Sequence, residues 1–272
     1  MSNQFNFTLS GHVPTIGDFP IINTGGSFSN LSITDNGSDS YTLNFDVNLT
    51  NPSFSTDGFR LNEDANYIAM VITLWDGMPL SSGQDQLRGL TGGITATDVP
   101  VIVANTNGDN MFRESVTSSS LSIGNWNVSN VTSMGYMFNN ATNFNQDIGG
   151  WNTSAVTNMS SIFNSAANFN QDIGGWNTSA VTNMGTMFSN ARGFKQNICI
   201  WNVSVGTTLS SMFNNATSML DTFSSIPGMA ATPEISFFNQ PDGPYLDVIL
   251  GDVSVALYNP SNLQPYQQGS DL

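Results

Sequence analysis

Through the middle of the chain the apolar positions keep a fixed step. Trp126, Trp151, Trp176 and Trp201 stand twenty-five residues apart, and Phe138, Phe163, Phe188 and Phe213 keep the same interval. So do Ile123, Ile148, Ile173 and Ile198, and so do Ala141, Ala166, Ala191 and Ala216. Phe144, Phe169 and Phe194 follow, with Met219 in the fourth place. One stretch, FNQDIGGWNTSAVTNM, is written at 144–159 and again, letter for letter, at 169–184. A fixed period of roughly 20–50 residues marks a solenoid, propeller or array, because one unit cannot close a core and must stack on the next.

Within the unit, Val131, Met134, Met137, Phe138 and Ala141 are spaced three to four apart. That spacing predicts one face of a short helix or a run of helical turns, with Ser129 or Asn130 as N-cap. The chain then opens through TNFNQDIGG into WNV or WNT, where Trp151 and Thr153 fall on one side and Asn152 on the other. Such alternation predicts a short strand. One strand and one helical segment per unit is the leucine-rich-repeat arrangement, with Phe, Met, Ile and Trp in place of leucine. Stacked units would set each Trp on its neighbour, about 5 Å away if strands fix the rise. Met134, Met137, Met159, Met184, Met187 and Met212 share the period and read as core filler. The ends are worn: 110–126 is a half unit with Phe112 one residue out of phase, and 218–233 loses the pattern.

The flanks obey another rule. FNFTLSG, SFSNLSITDNG, YTLNFDVNLT, NYIAMVITLWDG and DVPVIVANTNG are short β-branched or aromatic runs between Gly, Asn, Asp and Pro turns. Leu43, Phe45, Val47 and Leu49 alternate onto one face. The reading is an antiparallel β-sandwich, immunoglobulin-like or jelly-roll. Near the C-terminus, YLDVILGDVSVALYN reads as a hairpin turning at Gly251-Asp252, followed by an extended tail. The expected fold is therefore mainly β with short helical turns. It divides into a sandwich over 1–109, a solenoid of about four units over 110–232, and a hairpin with its tail over 233–272.

Composition narrows the functions. Charged residues are only 9% of the chain, so the surface is solvated mainly by Asn, Ser and Thr. Twenty acidic residues face five basic ones, a formal charge of −15. Lys195 is the single lysine and Arg60, Arg88, Arg113 and Arg192 are scattered, which leaves no cationic cluster for phosphate and excludes nucleic acid as a partner. No run is long and apolar enough for membrane insertion. The N-terminal MSNQFNFTLSGHVPTIGDFP has no basic and apolar leader, so no signal peptide is expected. His12 and Cys199 are each the only residue of their kind, which excludes Ser-His-Asp, Cys-His and multi-His zinc centres. The chain is read as a non-enzyme without a cofactor.

Two polar ladders follow the period. Asn127, Asn152, Asn177 and Asn202 lie beside the tryptophans, and Asp147 and Asp172 are continued by Asn197. The asparagines are either a stabilising ladder or a strip that hydrogen-bonds glycan hydroxyls or a partner's backbone. The aspartates read as caps on the FNQDIGG loop. A Ca²⁺ ion between them is the alternative, against the six to eight oxygens that calcium takes.

The segment WNVSNVTSMGYMFNNATNFNQDIGGW resembles the repeat of BspA-like leucine-rich-repeat surface proteins over about residues 110–230. The resemblance implies a leucine-rich-repeat-like solenoid in a surface-exposed role, adhesion included, and brings no catalytic residues. The resulting expectation is a structural or display protein, first of all an outer component of a virus particle such as a minor capsid, decoration or fibre-type protein. A secreted or cell-surface adhesin is the alternative, and a glycan-acting enzyme the second alternative. Expected partners are other structural proteins of an assembly, a host surface glycan or protein, or further copies of the chain. The expected location is the virion surface, or else the cell surface or medium.

Overall fold

The computed structural model describes residues 3–8, 14, 21–22, 28–47, 58–59, 71–76, 79–80, 87–102, 106–115 and 122–240. Among the described residues the chain is mainly β with very little helix. Its strands are β1 (Asn3–Thr8), β2 (Ile21–Ile22), β3 (Phe28–Gly37), β4 (Ser40–Val47), β5 (Gly58–Phe59), β6 (Val71–Leu74), β7 (Pro79–Leu80), β8 (Gly93–Ile94), β9 (Val101–Ile102), β10 (Thr106–Asn107) and β11 (Val131–Ser133). Among the described residues one short helix, α1 (Thr217–Thr222), and a 3₁₀ turn at Ile235–Phe237 follow.

The N-terminal part holds a five-stranded sheet in the order β3-β4-β1-β6-β8 and a four-stranded sheet in the order β2-β5-β7-β9. The hairpin β3–β4 closes through Ser38 and Asp39, both at positive φ, the backbone form that matches the strand twist. Phe7, Tyr41, Leu43 and Ile72 are buried in this sheet, and the Phe7 and Tyr41 rings stack 5.6 Å apart. The antiparallel order expected over 1–109 holds for β1 with β4 and β6, for β3 with β4, and for β2 with β5. It then gives way. β5 with β7, β7 with β9 and β6 with β8 all pair in parallel. Pairs such as Phe59 with Leu80 and Leu80 with Ile102 lie one coil apart in sequence, so the chain already winds in coils before the repeats begin.

From β10 onward the coils stack in register. Asn107 pairs with Ser133, Ser133 with Asn158, Asn158 with Asn183 and Asn183 with Thr208, all in parallel. This corrects the placement of the strand. The ladder runs through the NVTSM segment, while Trp151–Thr153 forms none. The helical turns also resolve differently. The N–H groups of Met134, Tyr136, Phe138 and Asn140 donate to the carbonyls of Asn158, Ser160, Ile162 and Asn164 in the next coil, each at 2.9 Å. The intervening N–H groups of Met137, Asn139 and Ala141 turn back three residues within their own coil. Tyr136 and Asn140 adopt φ of 56° and 58° to allow this, as do Ser161 and Ser165, Thr186 and Asn190, and Ser211 and Asn215 in later coils. A left-handed residue every four positions cannot propagate an α-helix. It does let alternate amides reach across to the neighbouring coil, so both kinds of backbone donor are satisfied.

Side chains pile up accordingly. Phe112, Phe138, Phe163, Phe188 and Phe213 form one column with ring centroids 5.4, 5.7, 5.5 and 5.8 Å apart. Phe112, one residue out of phase in sequence, is thus a full member. Phe144, Phe169 and Phe194 form a second column at 5.7 and 5.8 Å. Within a coil the two columns touch: Phe138 lies 3.9 Å from Phe144, and Phe163 3.9 Å from Phe169. Each fully buried ring contributes about 1.5–3 kcal/mol through burial and each pair about 0.5–1.5 more through ring geometry, so the aromatic spine dominates this core.

The last coil is closed by the chain itself. Phe213 N–H donates to the Ala231 carbonyl at 2.8 Å, and Ser211 N–H to Thr232 Oγ1 at 2.8 Å. Asn239 N–H reaches Trp201 O and Gln240 N–H reaches Cys199 O, both at 3.0 Å. The Asn239 side chain both accepts from Val203 N–H and donates to Val203 O. The segment after 218 that loses the repeat pattern is therefore a lid on the apolar spine, with Phe237 edge-on to Phe213 at 5.9 Å. The expected C-terminal hairpin and tail, beyond residue 240, lie outside the described residues.

Candidate binding surface

Trp126, Trp151, Trp176 and Trp201 are between 1% and 4% exposed, so the tryptophans face inward. Ile148, Ile173 and Ile198 are fully buried beside them, as are Phe138, Phe163, Phe188 and Phe213. The indoles also tie the coils together. Trp151 Nε1 donates to Ile123 O at 3.0 Å, Trp176 Nε1 to Ile148 O at 3.1 Å and Trp201 Nε1 to Ile173 O at 3.0 Å. Each of these three indoles therefore buries its ring and satisfies its only donor on the preceding coil.

An inward Trp turns the following asparagine outward. Asn127, Asn152, Asn177 and Asn202 are all exposed. They do not bond from coil to coil through their amides. Instead Oδ1 of Asn127, Asn152 and Asn177 accepts the backbone N–H two residues on, at 3.2, 3.1 and 3.1 Å. Ser129 and Ser179 add their hydroxyls to the same oxygens at 2.7 Å. The side chains are thus held at fixed angles with their amide nitrogens on the outer face. Thr157 and Thr182 are exposed as well, each hydroxyl donating at 3.2 Å to the carbonyl of the threonine one coil earlier. The strip is uncharged and repeats once per coil.

Asp147 and Asp172 are exposed, and each spends Oδ1 on its own loop: Gly149 N–H at 3.0 Å and Gly174 N–H at 2.9 Å. Asn197 does the same for Cys199 N–H at 3.0 Å. Their hydrogen bonds match the role of loop caps. Among the described residues no group of three or more His, Cys, Asp and Glu is placed to hold a metal ion. The coil-to-coil amide ladder lies elsewhere. Asn145 Oδ1 accepts Asn170 N–H at 2.9 Å, Asn170 Oδ1 accepts Lys195 N–H at 3.0 Å, and Gln171 and Gln196 donate to the carbonyls of Asn145 and Asn170. Sequence reasoning missed it, although the repeated FNQ of the loop was its signal.

Cations are few here as in the sequence. Arg88 and Arg113 both pair with Glu114, at 3.3 and 3.2 Å, and Arg113 lies 6.0 Å from the Tyr136 ring centre.

Residues 106–226 match the family model described as Mycoplasma protein of unknown function, DUF285. The match opens on β10, the first in-register rung, and ends just after α1, before the lid contacts made by Ala231, Thr232, Asn239 and Gln240. It covers a little under half of the chain and is consistent with the BspA-like repeat family that the motif resembles. No curated protein and no solved structure matches the chain.

Proposed function

We propose that this chain is a non-enzymatic structural and display protein of an outer surface. Its repeats form a leucine-rich-repeat-like solenoid of the BspA type, and its task is to hold a rigid, uncharged polar face toward a partner. The observation that carries this reading is the in-register stack. It repeats the fixed asparagines beside Trp126, Trp151 and Trp176 coil after coil on a face without charge. Side chains already locked lose little entropy on binding, so an array of weak hydrogen bonds adds up. A face of this kind suits a surface glycan or the backbone of another structural protein, and its binding would change little with salt. The outside of a virus particle is the first placement and a cell surface the second.

The test is immunogold labelling of intact particles and intact producing cells without permeabilisation. Label on the outside is expected, and its carrier, particle or cell, decides between the two placements. Label only after permeabilisation refutes the reading.

A further inference from the structure

The outward row beside the tryptophans repeats one set of hydrogen-bonding groups, and part of that set is unspent. Burial alternates along 150–154: Trp151 and Thr153 are buried, Gly150, Asn152 and Ser154 are exposed, and residues 175–179 repeat this. In three successive coils the asparagine Oδ1 is taken by the N–H two residues on. Among the described residues nothing holds the amide nitrogens of Asn127, Asn152 and Asn177, so each keeps two free N–H donors. Ser129 and Ser179 direct their hydroxyl protons to the same Oδ1 and keep oxygen lone pairs as acceptors.

The buried threonines fix the spacing of the row. Thr153 Oγ1 donates to Asn177 O at 3.0 Å and Thr178 Oγ1 to Asn202 O at 2.9 Å, so each of these asparagines is tied to the coil before it. Next to the amides the backbone is bare. Nothing lies within 4 Å of a Cβ added at Gly150 or Gly175, and neither residue sits at positive φ. Neither crowding nor conformation therefore requires glycine there. What glycine does provide is clearance for a ligand close to the backbone.

We infer that this row binds an extended neutral glycan laid along the stack, one sugar unit per coil. The inference rests on the reading of the asparagine strip as the display face and names its ligand. The free amide nitrogens only donate and the serine oxygens accept, and a sugar hydroxyl answers both. An extended peptide would turn an N–H as often as a carbonyl toward amides whose oxygens are already taken. An anionic ligand would find no Lys or Arg in the row. The stretches 144–159 and 169–184 are identical, so a polymer of one repeated unit makes the same contacts on both coils. Weak contacts then add, because the units that make them are linked.

The experiment is calorimetric titration of the full chain with β-1,4-linked oligomers of glucose, mannose and N-acetylglucosamine, from one unit to six. In at least one series the affinity is expected to climb up to four units, one for each of Asn127, Asn152, Asn177 and Asn202, and then to level off. Deleting residues 150–174 removes one coil and joins Gly149 to Gly175, a Gly–Gly junction the chain already has. The affinity of that variant is expected to level off at three units. Asn152→Asp keeps an oxygen for Ser154 N–H and loses both free donors, so its melting temperature should hold while binding weakens about tenfold. Gly150→Ala should bind more weakly although it is not destabilised, an outcome that a purely structural glycine would not give. No binding in any of the three series overturns the inference. So does affinity that ignores oligomer length, a levelling point unmoved by the deletion, or unchanged binding by Asn152→Asp. Placement is read by the gold label and affinity by titration, so either reading can fail while the other stands.

Discussion

Adjacent glycines in one loop are expected to respond to the same substitution with opposite sign. A Cβ placed on Gly149 would come within 3.0 Å of the Asp172 carbonyl oxygen in the next coil, closer than real side chains approach. The equivalent approaches are 2.7 Å at Gly124 and 2.9 Å at Gly174. The obstacle is backbone, and the coil spacing next to it is fixed by the Trp176 bond to Ile148 O. Gly149→Ala must therefore wedge two coils apart, an overpacking cost of about 1–3 kcal/mol. Gly150 has nothing within 4 Å of its added Cβ and does not sit at positive φ. Gly150→Ala is expected to stabilise by about 0.4–1 kcal/mol, because alanine has less unfolded-state entropy to lose. The two variants should differ by about 1.5–4 kcal/mol, or about 3–16 °C in melting temperature at 2–4 °C per kcal/mol. Thermal unfolding followed by circular dichroism measures this, and hydrogen exchange at the Trp176 indole reads the wedge locally. Equal melting temperatures, or a more stable Gly149→Ala, would refute the close coil contact.

Trp151→Phe strands the Ile123 carbonyl, so it should cost about 1–3 kcal/mol more than Trp126→Phe, which removes a donor that has no partner; urea denaturation of the pair gives the difference. Phe163→Ala removes a fully buried ring from the middle of the aromatic spine and should cost about 3–5 kcal/mol in the same assay. Burial pushes the Cys199 thiol up to about 12 from an ordinary 9.0, so it should resist a thiol reagent at pH 8 until the chain is unfolded. Because the folded state favours the neutral thiol, its contribution to stability is full below pH 9 and is lost as pH rises toward 12. Denaturant midpoints measured across that window test the sign.

The Phe columns and the inward Trp and Ile positions were legible because identical side chains at one interval leave little choice but to share one core. The local backbone was not. Val131, Met134, Met137, Phe138 and Ala141 carry helical spacing, yet consecutive turns that close three residues back bring the same positions inward. Sequence pattern cannot separate the two; only the left-handed residues do, and Tyr136 or Thr186 give no hint of that conformation. Asn110, Asn140, Asn190 and Asn215 were a weak sign of it, since asparagine tolerates positive φ. The upstream coils through Phe59, Leu80 and Ile102 were hidden because their residues differ and their steps are unequal. At the surface, the outward asparagines followed from the inward tryptophans. Their free amide nitrogens did not, because an asparagine can turn either end of its amide to solvent and only the folded loop decides which.

The two verbatim stretches at 144–159 and 169–184 give adjoining coils the same contact surface above and below. Recombination between such copies would add or delete one whole rung of twenty-five residues without creating a junction the protein does not already contain. The upstream sheet and the lid at 231–240 would be untouched. The molecule is built like an extensible ruler with fixed ends, and natural variants should differ in length by whole coils.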